Sequence, residues 1–246
     1  MAHKRLGIAV IGSGRIGTLR ARLAAMHPAV DFLAVSDADP AKAKALAEQT
    51  KANFHSADND EVIAHPDVTA VFVSTPENEH MKPIVAALKL GKPVLVEKPI
   101  ALSLADAKII LETLEETKGI LRVGYSRRFK DCFLRAKEQM RHERLGRVIG
   151  GTARVYNSRA QAFAILKRDP HATPVVDVLT YYVDLMCWFM EGNAPVEVVA
   201  RAQSGIFKEA GFSADDVTWA IVTFADGAVV NLGVSYASII KGRDRR

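Results

Sequence analysis

The chain is poor in cysteine, with only Cys132 and Cys187 among its 246 residues. The two lie far apart and belong to no CxxC or Cys/His spacing, which argues against both a disulfide framework and a zinc site. We therefore expect no metal centre, and we interpret each cysteine as a small packed side chain.

The chain also lacks any apolar run near the roughly 20 residues that a membrane-spanning helix needs. Its first residues, MAHKRLGIAVIG, do not have the layout of a cleavable signal, because the apolar stretch ends in glycines. No repeat, low-complexity segment or long linker is present. We expect a cytoplasmic protein that has no membrane partner.

Positive charge is in excess, and the excess is concentrated in one segment. The net charge is +5, and eight Arg or Lys face only three acids between residues 126 and 147. These basic residues follow a helical pattern without interleaved aromatic side chains, which favours a solvated helix face over a nucleic-acid site. We expect no nucleic-acid partner, whereas an anionic small ligand stays open.

The first half of the chain alternates β-branched runs with amphipathic stretches. Parallel sheets that are buried on both faces, with helices as crossovers, have this texture. It predicts a doubly wound parallel sheet, a Rossmann domain, over residues 1–125. The predicted helices begin near Arg15, Pro40, Asn78, Leu104 and Asp131.

The second half, residues 126–246, has longer apolar runs that predict an α+β domain with a mainly antiparallel open sheet. One helix-like segment, TPVVDVLTYYVDLMCWFM, lies between the first two runs. Asp226 and Gly227 separate the last two runs and are typical of a hairpin turn. With 49% hydrophobic residues, the chain can bury two modest cores of this kind.

A glycine-rich turn follows the first predicted strand and fits the pattern G-x-G-x-x-G. The first glycine permits a tight turn, the second lets the backbone approach a pyrophosphate, and the third lets helix pack on strand. Free N–H groups at the start of the helix then face the phosphates. The residues predicted to bind a dinucleotide here are Gly12, Gly14, Arg15, Ile16 and Gly17.

An acid stands where a ribose-binding carboxylate is expected. Asp37 ends the second predicted strand, 20 residues after Gly17, and it can accept hydrogen bonds from a ribose diol. Its charge repels a 2′-phosphate, so NAD is favoured over NADP. Two alternatives stay open: an ordinary turn in which Asp37 caps the next helix, and a methyltransferase, which also uses a glycine turn and an acid.

The stretch VLVEKP, residues 94–99, follows a buried strand with a glutamate, a lysine and a proline. Ligands of an open α/β sheet lie outside the carboxyl ends of the strands, so Glu97 and Lys98 are placed to face a cofactor. A lysine beside a nicotinamide can hydrogen-bond a substrate oxygen and stabilise negative charge as hydride moves. Pro99 ends the strand, and its peptide bond can be cis or trans.

Together these residues resemble the glucose–fructose oxidoreductase, inositol dehydrogenase and MocA (Gfo/Idh/MocA) family. The resemblance rests on GSGRIG, on the STP of residues 74–76 followed by a helix with His80, on EKP at 97–99 and on VGYSRRF at 123–129. It implies a two-domain, nicotinamide-dependent enzyme that oxidises or reduces sugars, cyclitols or related cyclic diols. It also implies a homodimer or homotetramer that forms through the open face of the second sheet.

The resemblance assigns roles to residues at the strand ends. Lys98 matches the active-site lysine of the family, and it is a candidate for both catalysis and substrate binding. Glu97 is expected close to the nicotinamide ribose. The other cofactor-binding candidates that the resemblance implies are Ser74, Thr75, Pro76 and His80, although His80 is also interpreted as packing near the cofactor loop.

The second domain departs from the family pattern at one position. Family members often carry an aspartate, a histidine four residues later and an aspartate three beyond that. Here Asp177 and Asp184 match, but Tyr181 replaces the histidine. Because tyrosine has a pKa near 10, it needs a neighbouring cation to take over proton transfer. We assign Asp177 to substrate orientation and Tyr181 to hydrogen bonding, with packing as the alternative for Tyr181.

Other candidates follow the next strand end. Tyr125 and Arg127 are predicted to contact the substrate, and Arg128 is a weaker candidate. His171 precedes the Asp177 segment and is an alternative source of the missing imidazole. The chain also stops at KGRDRR, before the further strands of family second domains. We expect a C-terminal portion to be absent from the sequence, and a genuine short form is the alternative.

These observations predict an NAD-dependent oxidoreductase that acts on a secondary alcohol or ketone. One alternative is an NADP-dependent reductase in which Arg15 and residues after Asp37 accept the 2′-phosphate. Another is a non-catalytic nucleotide-binding sensor that retains the glycine turn but has lost the chemistry.

Overall fold

The structure is a computed structural model that describes residues 5–170 and 172–238. The chain divides into two compact units, of which the first ends at Gly124 and the second begins at Tyr125. His171, and the KGRDRR tail on which the expectation of an absent C-terminal portion depended, lie outside the described residues.

The first unit alternates short strands with helices. Its elements are, in chain order, β1 (Leu6–Ile11), α1 (Arg15–Met26), β2 (Val30–Ser36), α2 (Pro40–Thr50), β3 (Phe54–Ser56), α3 (Asn59–Ala64), β4 (Ala70–Val73), α4 (Met81–Lys89), β5 (Val94–Val96), α5 (Leu104–Thr117) and β6 (Leu121–Val123).

All six strands of the first unit form one parallel sheet in the order β3-β2-β1-β4-β5-β6. The strand order reverses between β1 and β4, which is the position where open α/β sheets bind their ligands. The predicted doubly wound fold is therefore confirmed.

The sheet is buried on both faces because successive residues of a strand point to opposite sides. In β1, Ala9 and Ile11 join a core with α3, α4 and α5, whereas Ile8 and Val10 join a second core with α1 and α2. Both faces need apolar side chains, which explains why β1 is a continuous apolar run instead of an alternating one.

The predicted helix starts at Arg15, Pro40, Leu104 and Asp131 are confirmed. Near Asn78 the chain first forms a 3₁₀ turn, Glu77–Glu79, and α4 begins only at Met81. Elements β3 and α3 were not predicted, because a three-residue strand and a six-residue helix are too short to show a hydrophobic period.

The second unit combines a four-stranded sheet with helices. Its elements are α6 (Asp131–Arg141), β7 (Gly150–Ser158), α7 (Arg159–Arg168), α8 (Thr180–Phe189), β8 (Pro195–Gln203), α9 (Ile206–Glu209), β9 (Val217–Phe224) and β10 (Val229–Ser238), with a 3₁₀ turn at Ser126–Phe129 and a π-helical turn at Val175–Leu179 that leads into α8.

This sheet has the order β7-β10-β9-β8, and β9 is antiparallel to both of its neighbours. The edge strand β7 is parallel to its neighbour β10. The predicted mainly antiparallel sheet is therefore confirmed, with one parallel pair. The predicted hairpin turn is also confirmed: Gly227 has a φ of +88°, and the Phe224 N–H donates to the Ala228 carbonyl at 2.9 Å.

Helices cover one face of the second sheet. Residues of α7, α8 and the π-helical turn pack with Val230, Leu232 and Val234 of β10 in a single core. One helix was predicted here from the sequence, and α7 was not. The opposite face, which we call the open face, exposes Tyr156, Val199, Trp219, Ile221 and Val229.

The composition-based expectations have mixed outcomes. Cys187 is half-buried, but Cys132 is exposed on α6, so the interpretation of both cysteines as packed side chains is wrong for Cys132. Among residues 5–170 and 172–238, no cluster of His, Cys, Asp or Glu is arranged to hold a metal ion. No helix within those residues is long and apolar enough to cross a bilayer.

Candidate functional site

The ends of five parallel strands form one continuous row in the first unit. Ile11 pairs in register with Ser36 of β2 and with Val73 of β4, Val73 pairs with Val96 of β5, and Val96 pairs with Val123 of β6. The residues that follow these strand ends must therefore lie side by side. They are Asp37, Gly12, Ser74, Glu97 and Gly124.

The glycine turn begins in this row, and at two of its positions a side chain larger than that of glycine would clash with the backbone. Gly12 has a φ of +96°, and a Cβ there would lie 2.7 Å from the Ser74 carbonyl oxygen. A Cβ on Gly17 would lie 1.8 Å from the Gly12 carbonyl oxygen, so α1 packs on the strand end only with glycine at this position. A Cβ on Gly14 would meet nothing within 4 Å.

Asp37 braces the glycine turn from the neighbouring strand. Its carboxylate accepts hydrogen bonds from the Ser13 N–H at 2.8 Å and from the Asp39 N–H at 3.0 Å. Asp39, and not Asp37, caps α2, because its side chain accepts from the Ala41 N–H. The alternative in which Asp37 is the helix cap is therefore wrong, and Asp37 stands beside the turn as the ribose-binding prediction requires.

The groups beside the turn fit a bound dinucleotide. Helix α1 starts at the exposed Arg15 with no side-chain cap and no acid in its first turn, whereas side chains cap α2, α3 and α5. The hydroxyl oxygens of Ser74 and Thr75 are buried and have no hydrogen-bond partner within the described residues. A pyrophosphate can cap α1, and a cofactor lying along β4 can satisfy the hydroxyls.

Glu97 is held by an arginine that sequence reasoning did not identify. Arg20 on α1 donates from Nε at 3.0 Å and from Nη2 at 2.6 Å, both to Oε1 of Glu97. Both side chains are largely buried. This ion pair connects the end of β5 to α1, the helix that follows the glycine turn. It therefore restrains the backbone at Glu97, which directly precedes Lys98.

His80 joins two of the strand-end loops. It is 1% exposed; its Nδ1 lies 2.7 Å from the Pro99 carbonyl oxygen and its Nε2 lies 3.1 Å from the Thr75 carbonyl oxygen. The Lys98–Pro99 bond is cis. The geometry matches the interpretation of His80 as packing near the cofactor loop. The contact of His80 with a cofactor stays a prediction. The same holds for the cofactor contact of Pro76, which is exposed.

In the second unit, Asp177 is bound by a tyrosine from β10. The Tyr236 hydroxyl donates to Asp177 Oδ2, and the Asn157 side chain of β7 also hydrogen-bonds the Tyr236 hydroxyl. Tyr236 is 2% exposed. Burial, followed by the hydrogen bond to Asp177, raises the pKa of Tyr236, so the phenol stays a donor to the carboxylate.

Tyr181 lies one turn beyond Asp177 in a cluster of rings and one cation. The Arg127 guanidinium carbon lies 5.2 Å from the centre of the Tyr181 ring and 4.7 Å from that of Tyr182. Tyr125 meets Tyr181 edge-on at 6.1 Å, and its hydroxyl hydrogen-bonds Thr180 at 3.0 Å. The structure therefore brings the predicted substrate residues Tyr125, Arg127 and Tyr181 together.

The second aspartate of the family pattern has a structural partner. Asp184 is 9% exposed, and Arg128 donates to both of its oxygens, at 2.8 and 2.5 Å. The hydrogen bonds to Asp184 raise the pKa of Arg128. This bidentate pair couples the turn at Ser126–Phe129 to α8, so Arg128 serves packing within the second unit.

Two residues of the site were not identified from the sequence. Arg20 lies in the middle of a helix, 77 positions from Glu97, and Tyr236 lies in a strand, 59 positions from Asp177. Their roles depend on contacts made by folding. One weak signal existed for Tyr236, because a tyrosine with a polar group must find a partner when it is buried in a strand.

The glycine turn yields a paired prediction. Gly14→Ala should leave the free energy of unfolding within about 0.5 kcal/mol of wild type, because φ is −69° and the space is open, yet weaken NADH binding about tenfold by blocking the pyrophosphate. Gly17→Ala should destabilise the chain by about 1–3 kcal/mol through the clash with Gly12. Denaturation and fluorescence titration test both; wild-type NADH affinity in Gly14→Ala would contradict the assignment.

Tyr236 yields a pH-dependent prediction. Since its pKa is raised above 10.0 in the folded state, the folded protein keeps the phenolic proton that the unfolded chain loses. The stability that Tyr236 contributes is fully present below about pH 10 and declines at higher pH. Denaturation between pH 9 and pH 11 should therefore show a shallower decline in Tyr236→Phe than in wild type. Equal slopes would show that the hydroxyl is not held by Asp177.

Comparisons with known proteins agree with this architecture. Residues 6–125 match the profile of the Gfo/Idh/MocA oxidoreductase family, described as an NAD-binding Rossmann fold, and residues 133–245 match the profile of the family's C-terminal domain. The first unit is therefore an NAD-binding domain. The solved scyllo-inositol dehydrogenase of Lactobacillus casei, with bound NAD(H) and scyllo-inositol, has the same fold, with a TM-score of 0.83 at 22% identity over 96% of this chain and 71% of that chain.

Curated relatives are longer than this chain. Inositol 2-dehydrogenase of Rhizobium meliloti is 30% identical over 215 residues, which are 84% of this chain and 61% of that protein. The 1-carboxy-3-chloro-3,4-dihydroxycyclohexa-1,5-diene dehydrogenase of Comamonas testosteroni is 35% identical over 145 residues, which are 57% of this chain and 36% of that protein. With both of its units matched, the chain belongs to the Gfo/Idh/MocA oxidoreductase family.

Proposed function

We propose that this protein is an NAD-dependent oxidoreductase that acts on a secondary alcohol, or the matching ketone, of a sugar, cyclitol or related cyclic diol. The observation that carries the proposal is the row of strand ends. It brings the glycine turn and Asp37 beside Glu97 and Lys98, together with the Ser74 and Thr75 hydroxyls, which lack a partner among the described residues. When bound, the nicotinamide accepts or supplies the hydride.

The residues of the first unit hold the cofactor. The N–H groups of α1 bind the pyrophosphate, and Asp37 accepts from the ribose hydroxyls. One Asp37 oxygen accepts from the Ser13 N–H of the glycine turn and the other from the Asp39 N–H, so the carboxylate is held in place and disfavours the 2′-phosphate of NADP. The fixed carboxylate supports NAD over the NADP-dependent alternative.

The proposed chemistry of the substrate oxygen falls to three residues. Lys98 donates or accepts its proton and stabilises negative charge on it. Asp177, which Tyr236 holds in position, accepts a hydrogen bond from a substrate hydroxyl and so orients the substrate. Tyr181 forms a hydrogen bond with the substrate. The Arg127 guanidinium lies over the Tyr181 ring and holds it in the cluster with Tyr125, which supports a positioned hydrogen-bonding role for the Tyr181 hydroxyl.

Two relatives inform the substrate class. The Rhizobium relative is named for inositol and the Comamonas relative for a carboxylated dihydroxy ring. Both substrates are six-membered carbocycles with neighbouring hydroxyls. We therefore propose a cyclic diol for this protein, and we place it in the cytoplasm, where unpaired cysteines such as Cys132 and Cys187 persist.

Lys98→Ala separates an enzyme from a sensor. We expect turnover with inositols, aldoses or cyclic diols to fall at least about 100-fold because the proton carrier is lost, while NADH affinity stays within about threefold. Nucleotide absorbance gives turnover, and fluorescence titration gives affinity. The control is Lys89→Ala, an exposed lysine at the end of α4.

Tight NADH binding without turnover on a broad panel, in wild type as in the variant, would instead favour a non-catalytic sensor. Turnover with NADPH but little with NADH would favour the NADP-dependent reductase.

We also propose that two copies of the chain associate through the open face. Val199, Trp219 and Ile221 are 51%, 38% and 46% exposed on neighbouring strands, and such contiguous apolar area is typical of an interface. Strand β8 is exposed along its whole length, which leaves the sheet edge available as well.

Ile221→Lys should convert the oligomer to a monomer, because two lysines would face each other across the interface. Leu104→Lys, which changes an apolar residue 82% exposed on the first unit, should leave the assembly unchanged. Sedimentation equilibrium measures both. A monomeric wild-type chain, or an Ile221→Lys chain that stays oligomeric, would contradict the proposed interface.

A further inference from the structure

Arg159 carries a buried donor that finds no acceptor among the described residues. It is the first residue of α7, directly after β7, and its Nη2 donates to the Ala237 carbonyl oxygen at 3.2 Å. Its Nε is buried and makes no hydrogen bond within the part of the chain that the structure describes. A buried guanidinium donor without an acceptor is costly, which points to a missing acceptor.

Arg159 lies at the same strand ends as the groups that hold Asp177. Strands β7 and β10 are parallel neighbours, with Ser158 paired to Ser238. Asn157, two positions before Arg159, hydrogen-bonds the Tyr236 hydroxyl, and Ala237, which accepts from Arg159, directly follows Tyr236. The arginine therefore lies near the groups that hold Asp177, a predicted substrate residue, and not on the open face.

The carboxylates described at this end of the second unit do not pair with Arg159. Asp184 is ion-paired with Arg128, and Asp177 accepts a hydrogen bond from the neutral Tyr236 hydroxyl. Across residues 5–170 and 172–238, no carboxylate lies within ion-pair distance of Arg159. An anionic group that enters here would meet a cation that the protein itself does not neutralise.

We propose that Arg159 binds a carboxylate of the substrate, so that among cyclic diols the protein selects those with an acidic substituent. This inference rests on the proposed function and adds the substrate class. The planar fork of arginine matches a carboxylate with two parallel hydrogen bonds, one of them from Nε. A single guanidinium balances the single charge of a carboxylate, whereas a phosphate monoester carries close to two.

The test compares two probes that differ only in charge. They are 3,4-dihydroxycyclohexane-1-carboxylate and its carboxamide, each titrated by calorimetry into the full chain, with and without NADH. Wild type should bind the carboxylate at least about tenfold more tightly than the carboxamide, since hydrogen bonds to charged groups are the stronger ones.

Arg159→Gln should remove this preference by weakening carboxylate binding while carboxamide binding stays within about twofold. Arg159→Lys should keep part of the preference, because the charge remains and the fork is lost. The control is Arg201→Gln: Arg201 is exposed on β8, likewise donates to a backbone carbonyl, that of Ala200, and should not matter. Thermal unfolding confirms that each variant is folded.

Equal affinity of wild type for both probes, binding of neither probe, or equal loss of both in Arg159→Gln would overturn the inference and leave Arg159 as a residue that only anchors β10. Tighter binding of the matching phosphate monoester than of the carboxylate would overturn it as well. NADH binding is measured separately. If NADH does not bind, the proposed function is contradicted, whereas the ratio of the affinities for carboxylate and carboxamide, measured without nucleotide, still decides the role of Arg159.

Discussion

The register of the parallel sheet is the constraint on which the first unit depends. Backbone hydrogen bonds from Gly12 to Ser36, from Ser74 to Ile11 and from Glu97 to Val73, at 2.8–2.9 Å, align the strand ends to the residue. A slip by one residue would turn every side chain of a strand to the other face. The strand ends are therefore aligned because the strands are buried in one register. The hydrophobic core in this way positions the groups that are proposed to bind the cofactor.

The second unit fixes its polar groups by a different device, which is hydrogen bonding in pairs. Arg128 occupies both oxygens of Asp184, and Tyr236 holds Asp177, so the family carboxylates are oriented before any substrate arrives. Pre-oriented groups lose little conformational entropy on binding. The donors left over belong to Arg127 and Arg159, whose buried Nε atoms have no acceptor within the described residues, and the proposed preference for acidic substrates rests on the Nε of Arg159.

The sequence predicted the elements that repeat a period and the residues that follow a strand. The turn at Gly12–Gly17, Asp37 and the stretch from Glu97 to Pro99 were identified because parallel strand ends meet at one edge. Arg20 and Tyr236 were not, since a pair separated by 77 or 59 positions is defined only by folding. Helix α7 was missed because its ten residues include only three large apolar side chains, Phe163, Ile165 and Leu166, which is too few to show a clear period.

A crystal structure of the full chain with NAD⁺ tests the central claim most directly. The account predicts the pyrophosphate against the N–H groups of Gly14 to Gly17, the adenosine ribose on Asp37, and Ser74 and Thr75 hydrogen-bonded to the cofactor. A nucleotide bound away from the strand ends, or hydroxyls of Ser74 and Thr75 that stay without a partner beside it, would contradict the account.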